Sequence, residues 1–321
     1  MKNSRKLLKI SFIILVLGVI FIFVGYSFGG FDYVKNNDIN IYRSKRTNRE
    51  NKQYQKYLDE FSEIDVNFEK VDFEIVRSEN EKPYVIYNAS NNDHFDISTQ
   101  NNVLKIVEKS NKFNTIGYEG TIGIDVNFIK DLILNRSHFE MSNNHKFTLC
   151  IPKKSFDRIN IKTDFGNVNI DSVSSKDLKV DVSFGNLNLK NSQISDLDVH
   201  IAKGDINISE IKVDNEIKLE NNLGNITLNN CFSDICNIMQ NKGNTNFKNI
   251  IAKDIKIENN MGNINGSLIY DDNNSYDVDA VSDMGSINID RSFIRLKNAK
   301  ENVNIKLKTN MGSIVLNREK N

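Results

Sequence analysis

The amino-acid sequence predicts an all-β protein: a parallel β-solenoid of ~19-residue coils with an irregular β cap at its N-terminal end, preceded by one transmembrane helix. Three observations carry this. A glycine-centred phrase recurs, from "DFGNVNI" and "SFGNLNL" to "DMGSINI" and "NMGSIVL", with its glycines at Gly166, Gly185, Gly204, Gly224, Gly243, Gly262, Gly285 and Gly312. Residues on either side of each glycine alternate strictly between apolar and polar, which is the period of a half-buried strand. A long apolar run near the N-terminus completes the pattern.

That run, "LLKISFIILVLGVIFIFVGYSF" from Leu7 to Phe28, is apolar apart from Lys9 and a few small or hydroxylated residues. It is long enough to span a bilayer. Lys2, Arg5, Lys6 and Lys9 lie at its front, whereas "GGFDYVKNND" after it carries little positive charge. The positive-inside rule therefore keeps the N-terminus in the cytoplasm and exports everything after about residue 30. A cleaved signal peptide is the competing reading, but its apolar core is normally shorter and ends at small residues, whereas the exit here reads "VGYSFGG". Residues 1–30 are thus expected to form a cytoplasmic tip and an uncleaved single-pass anchor.

Residues 31–60 are polar and lack a two-residue period, so they read as a juxtamembrane linker or short helix. Arg43, Lys45, Arg46 and Arg49 in it offer contacts to anionic headgroups or wall polymers, but a solvated linker is the favoured reading. From 61 to 152 the alternation returns less regularly in "VDFEIV", "PYVIY", "VLKIV", "TIGIDVNF" and "FTLCIP". These strands, joined by Asn-rich turns, are expected to form the atypical cap that a solenoid requires, or a small abutting sandwich.

The repeats fill 153–317, leaving 318–321 as a tail. Successive glycines are 19, 19, 20, 19, 19, 23 and 27 residues apart. Aligned on the glycine, the second and fourth residues after it are apolar in most copies (Val168 and Ile170, Leu187 and Leu189, Ile206 and Ile208), as are the fifth and seventh before it (Ile161 and Ile159, Val180 and Leu178). Each coil therefore has two arms with one face inward. A further apolar residue seven after the glycine, in Val173, Ile211, Cys231, Ile250 and Ile269, suggests a short third side. Glycine at the corner suits a backbone that needs positive φ or a close approach to the next coil. The residue just after it, usually Asn, is expected to form a ladder of short polar side chains at the bend. The two long spacings imply insertions near "YDDNNSYDVDA" and "RSFIRLKNAKEN".

Composition narrows the function classes. Lys plus Arg and Asp plus Glu each total 42, so no global field favours nucleic acid. The odd cysteine count, Cys150, Cys231 and Cys236, argues against a disulfide framework. Asp164–Gly166 spells "DFG", yet it is one copy of the repeat and no kinase catalytic loop accompanies it. His94, His138, His145 and His200 fall in separate segments with no metal-ligand spacing. Asp271, Asp272, Asp277 and Asp279 cluster in one loop, which reads as solvated acidic surface rather than a calcium site. Glu220 and Glu258 stand two coils apart with Met239 between them, an unspecific hint of paired carboxylates. No catalytic, cofactor-binding or metal-binding residue is therefore assigned, and the repeat glycines are the structural signature.

The stretch "FTLCIPKKSFDRINIKTDFGNVNI", from Phe147 to Ile170, resembles the bacterial putative-adhesin family, a domain of unknown function. Leu149, Pro152, Ile159, Ile161, Thr163, Gly166, Val168 and Ile170 carry the resemblance, which covers roughly Glu63 to Leu316. It implies a β-solenoid exposed at the cell envelope behind an N-terminal anchor, with some relatives associated with envelope-stress responses. The expected function is a non-catalytic adhesin-like binding or scaffold protein, with a wall polymer or envelope protein as its partner. An accessory role in stress signalling and a polysaccharide-processing enzyme are the alternatives.

Overall fold

The computed structural model describes residues 52–79, 81–89, 94–109, 145–269, 271, 273–293 and 299–319. The expected anchor lies outside them, as do His138, Asp272 and the "TIGIDVNF" strand. Among the described residues every regular element is a strand, and no helix is long and apolar enough to cross a membrane.

The strands are rungs of one stack. Before the first repeat come β1 (Lys52–Tyr57), β2 (Glu63–Arg77), β3 (Tyr84–Ala89), β4 (Phe95–Gln100), β5 (Val103–Glu108) and β6 (His145–Ile151). The repeats then supply β7 (Ser155–Phe165), β8 (Val168–Asp171), β9 (Ser174–Phe184), β10 (Leu187–Lys190), β11 (Gln193–Lys203) and β12 (Ile206–Leu223). The stack continues with β13 (Ile226–Phe232), β14 (Ile235–Lys242), β15 (Thr245–Ile251), β16 (Asp254–Met261) and β17 (Ile264–Ile269). Last in the chain are β18 (Ser275–Met284), β19 (Ile287–Ile289), β20 (Asn302–Met311) and β21 (Ile314–Glu319).

Arms that precede the glycine stack on one another in parallel as β2, β7, β9, β11, β12, β14 and β16. Arms that follow it stack as β2, β8, β10, β12, β13, β15 and β17. The long strands β2 and β12 serve both series. Because each register aligns equivalent repeat positions, Ile159, Leu178, Leu197, Ile217, Cys236 and Ile255 form one inward column, and all are buried. Burying such columns is the dominant stabilising term, roughly 1.5–3 kcal/mol per large aliphatic side chain.

The glycine corner is where rungs come closest. Seven of the eight repeat glycines have φ between +140° and +157°. A Cβ on Gly224 would stand 1.9 Å from the carbonyl oxygen of Gly204, and the same collision recurs up the stack. Gly285, on the outermost rung, departs from the positive-φ expectation, yet a Cβ there would still meet Gly312 O at 2.0 Å. Beside the corner, inward polar residues three before the glycine bond the carbonyls beneath: Asn221 Nδ2 donates to Gly204 O at 2.9 Å, Asn259 Nδ2 to Gly243 O at 2.8 Å and Thr309 Oγ1 to Gly262 O at 3.0 Å. The expected ladder just after the glycine is present, with each side-chain oxygen accepting the next rung's backbone N–H. Asn167 Oδ1 accepts from Asn186 N at 3.0 Å and Asn225 Oδ1 from Asn244 N at 3.0 Å.

Four features differ from the sequence reading. First, the stack starts before the glycines: Glu63–Lys70 of β2 lies in register with β7, and Val71 occupies the corner beneath Gly166. Second, residues 52–57, expected in the linker, form β1, an antiparallel neighbour of β3, with Tyr54 stacked on Tyr87 at 5.4 Å. Third, rung order departs from chain order. The final rung, β20 and β21, sits between β16–β17 and β18–β19. The spacings of 23 and 27 carry the chain past one rung position and back, where a single step needs 19. Fourth, Ile269 is not the third-side residue of its coil. The register shifts by one after Lys248, and Leu268 stacks on Ile250 in its place. In the same coil the inward position at Gly266 is filled by the Phe247 ring of the rung below, whose Cζ would lie 1.9 Å from a Cβ at 266.

Gly224→Ala is expected to lower the stability by about 3 kcal/mol or more, since it adds positive-φ strain to a backbone collision. Asn225→Ala, which removes one exposed ladder acceptor, should cost only about 1 kcal/mol. Urea denaturation of the two variants checks the difference.

Candidate binding surface

A second corner, six residues after the glycine, was not read from the sequence. Ser172, Asn191, Glu210, Asn230 and Asn249 all have φ between +53° and +62°. Short polar side chains tolerate this left-handed conformation, and their amides bond the rung before them along the stack. Asn191 Nδ2 donates to Asp171 Oδ1 at 2.9 Å, Asn230 Nδ2 to Glu210 Oε1, and Asn249 Nδ2 to Asn230 Oδ1 at 2.8 Å. The signal lay in the Asn-rich column itself. At Leu268, where an apolar residue holds the equivalent place, the corner vanishes and the register shift appears.

Along this second corner runs an open groove of about 660 Å³. Its floor is made of successive rungs, including Ser172, Ser174, Ser192 and Gln193, and Phe232 stands at one end, exposed. Arg77, Lys153, Lys154 and Lys212 line it, against a single acid, Glu210. Lys154 is held in place, with Nζ donating to Phe61 O at 2.5 Å and lying 5.3 Å from the centre of the Phe156 ring. Lys212 reaches Asp214 at 3.6 Å, an exposed pair of little strength. In a chain with balanced charge, a groove with four cations and one acid is a local concentration of positive potential.

The histidines are distributed differently from their sequence spacing. His94 and His145 come together with ring centres 4.3 Å apart, and His94 Nε2 lies 3.1 Å from Glu108 Oε1. Glu108 Oε2 also accepts the backbone N–H groups of Glu69 and Lys70 at 2.7 and 2.8 Å, which fastens β5 to the bend of β2. Burial pushes the Glu108 carboxyl up, but the His94 and backbone hydrogen bonds outweigh it and the net shift is downward. Burial, and then the neighbouring His94, lowers the His145 imidazole. The contact depends on β6 and β4 being brought together by the cap, which no local spacing reveals. His200 is on the outward face beside Glu220, at 3.6 Å.

The remaining candidates resolve simply. Glu220 pairs with Lys218 at 3.1 Å and Glu258 with Lys256 at 2.9 Å, each on its own rung. Asp271 Oδ1 accepts the backbone and side-chain N–H groups of Asn273, both at 2.9 Å, as a turn residue does. Among the described residues no group of three His, Cys, Asp or Glu is placed to hold a metal ion. Cys150, Cys231 and Cys236 are free and buried, and burial pushes the Cys231 and Cys236 thiols up to about 12. The eight repeat glycines build the first corner and take no part in the groove lining.

Comparison with known proteins bears on the fold. A family model described as Toastrack DUF4097 matches residues 61–318. The chain belongs to the Toastrack DUF4097 family. Solved structures similar to it include a putative adhesin of Bacteroides fragilis NCTC 9343, at 13% identity over 83% of this chain and 97% of that one, with a TM-score of 0.40. Another is a putative adhesin of Parabacteroides distasonis ATCC 8503, at 12% identity over 82% and 96%, TM-score 0.41. A third, from the same strain, is described as a putative lipid binding protein, at 17% identity over 85% and 98%, TM-score 0.38. No curated protein matches the sequence. The family match spans the residues from Leu149 to Ile170 on which the resemblance to adhesins was read.

The cap of this Toastrack member is expected to loosen in acid. His145 has a lowered folded pKa, so below its ordinary 6.5 the unfolded chain takes up a proton that the folded one resists, and stability falls. Glu108, also lowered, adds a second loss below 4.5. The thermal midpoint should therefore fall from pH 7.5 to pH 5.5, and His145→Gln should flatten that first step.

Proposed function

We propose that this protein is a membrane-anchored, extracytoplasmic solenoid that acts as a non-catalytic binding protein at the bacterial cell envelope. Its ligand is an extended anionic polymer of the wall, laid along the second corner. The cationic groove is the observation that carries this reading. The groove's charged groups are Arg77, Lys153 and Lys154 in the cap, Lys212 on a later rung and a single acid, Glu210, so an extended polymer bearing negative charge meets a net positive channel whose walls repeat at ~4.8 Å. The floor supplies hydroxyl and amide groups from Ser174 and Gln193, which suit sugar or glycerol hydroxyls. Adhesin-like binding also agrees with the names of the structural neighbours, and the apolar run from Leu7 to Phe28 with its leading lysines supports anchoring and export.

The test is co-sedimentation of the protein with purified phosphate-bearing wall polymer. Lys153→Glu combined with Lys212→Glu should weaken binding at least about tenfold, with binding to neutral glycan unaffected and the wild-type affinity falling steeply with added salt. Unchanged binding in the charge-reversed variant would remove the groove from the mechanism. Recovery of intact polypeptide in the soluble cytosolic fraction would remove the anchor.

A further inference from the structure

The residue immediately before each corner glycine forms a second, unassigned surface. The strand registers align Lys70, Phe165, Phe184, Lys203, Leu223, Lys242, Met261, Met311 and Met284 in one file across successive rungs. Nine members at rung spacing make a line of roughly 40 Å. Phe184, Leu223, Met261, Met311 and Met284 are between 39% and 63% exposed, so a single repeat position supplies five of the large apolar residues left in solvent. Phe165 and Phe184 stack at 5.0 Å with planes 7° apart, and Lys70 Nζ lies 6.0 Å from the Phe165 centroid. Nothing in the core requires large apolar groups here, because the file faces outward from the glycine corner.

From this geometry we infer that the ridge is a membrane-contact edge that lies on an anionic phospholipid surface. Its chemistry intersperses three lysines among six apolar groups and has no acid at any step. Lysine stems lie along apolar surface while the ammonium reaches headgroup phosphate, and Phe, Leu and Met enter the acyl boundary. A file of outward groups along one edge suits an extended surface. A second copy of the chain suits it poorly, since antiparallel pairing centred on Leu223 sets Lys203 against Lys242 on both sides of the axis. The flanking acids are Glu69 and Asp164 at one end and Asp283 at the other. Asp72 and Asp205 accept ladder N–H groups just beyond the glycine, at 2.8 and 2.7 Å. The middle of the ridge is flanked by Asn222, Asn241 and Asn260. The inference rests on the anchored reading for its geometry: from Phe28 to Lys52 the chain can extend by up to about 80 Å, enough for the ridge to lie down on the bilayer that holds the anchor.

The chain has no tryptophan, so a single introduced one reports alone. Full-length protein carrying Leu223→Trp, or Lys248→Trp on the exposed face of the other arm, is reconstituted into phosphatidylglycerol–phosphatidylcholine vesicles with brominated acyl chains. Circular dichroism verifies that each variant keeps its strands. The ridge probe should be quenched at least twofold more than the control, and Lys203→Glu with Lys242→Glu should abolish the difference. Equal quenching of the two probes in protein that resists alkaline carbonate extraction overturns the ridge and leaves the anchor intact. Ridge quenching in protein that carbonate releases supports the ridge and overturns the anchor. Protein that neither floats with vesicles nor is quenched overturns both, and a ridge probe shielded only on addition of a soluble envelope protein overturns the lipid surface as its occupant.

Discussion

The structure depends on one close approach: the backbone of each corner passes so near the carbonyl below it that a Cβ would lie 1.7–2.0 Å from that oxygen. No side chain fits there, and seven of these corners also use a φ that L-residues avoid. Two columns of hydrogen bonds flank the contact. Inside, Asn221, Asn259 and Thr309 bond the glycine carbonyls; outside, Asn167, Asn186, Asn225 and Asn244 receive backbone N–H groups from the next rung. Leaving such a buried carbonyl unsatisfied would cost about 1–3 kcal/mol, more than the bond itself contributes, so these polar residues keep the corner from opening. Where the glycine is missing, at Val71, the neighbouring bend is fastened instead by Glu108, which accepts the N–H groups of Glu69 and Lys70.

A stack must also end. On the outermost described rung, β18 and β19, the inward residues Val278, Ala280 and Ile289 are only half buried and Ile287 is exposed, since no further described rung covers them. The same strand carries Asp277, Asp279 and Asp283, charges that disfavour pairing of one such edge with another. At the opposite limit β1 is short and exposed, with Lys52 and Lys56. Reordering the last two rungs places the better apolar set of β20 and β21, including Ile305, Leu307, Ile314 and Leu316, in the covered position and leaves the poorer rung outside.

The core was legible because its chemistry is periodic. Alternation gave both arms and the inward columns, and the glycine gave the corner, so strands such as β9, β11 and β14 fall where the pattern puts them. What was missed was either non-local or tolerant of many residue types. The exchange of the last rungs is invisible to a linear reading, since a loop of extra residues does not declare which rung it reaches. The meeting of His94, Glu108 and His145 needs the cap's pairing of β4 with β5 and of β2 with β5 and β6. The left-handed second corner accepts Ser, Asn and Glu, so its column looked like ordinary polar surface. Its left-handed φ runs from Ser172 to Asn249 and stops at Leu268, where the register also shifts.

Periodicity also governs where function can reside. In this fold any residue position is copied onto a line parallel to the stack, so a surface property acquired at one repeat position becomes a file, and neighbouring files acquire different properties independently. The asparagine ladders and the apolar-cationic ridge are such files, and the groove runs beside another, the second corner. Catalytic chemistry needs unlike groups converging on one point, whereas the outward acids Glu220 and Glu258 are each drawn to a lysine on their own rung. Binding to an extended polymer or a flat surface needs only like groups at regular intervals, and a stack of equivalent rungs supplies these without any special loop. The sequence therefore carries surface information in which column departs from the expected polar filler, and the clearest departure is the exposed Phe, Leu and Met before the first corner.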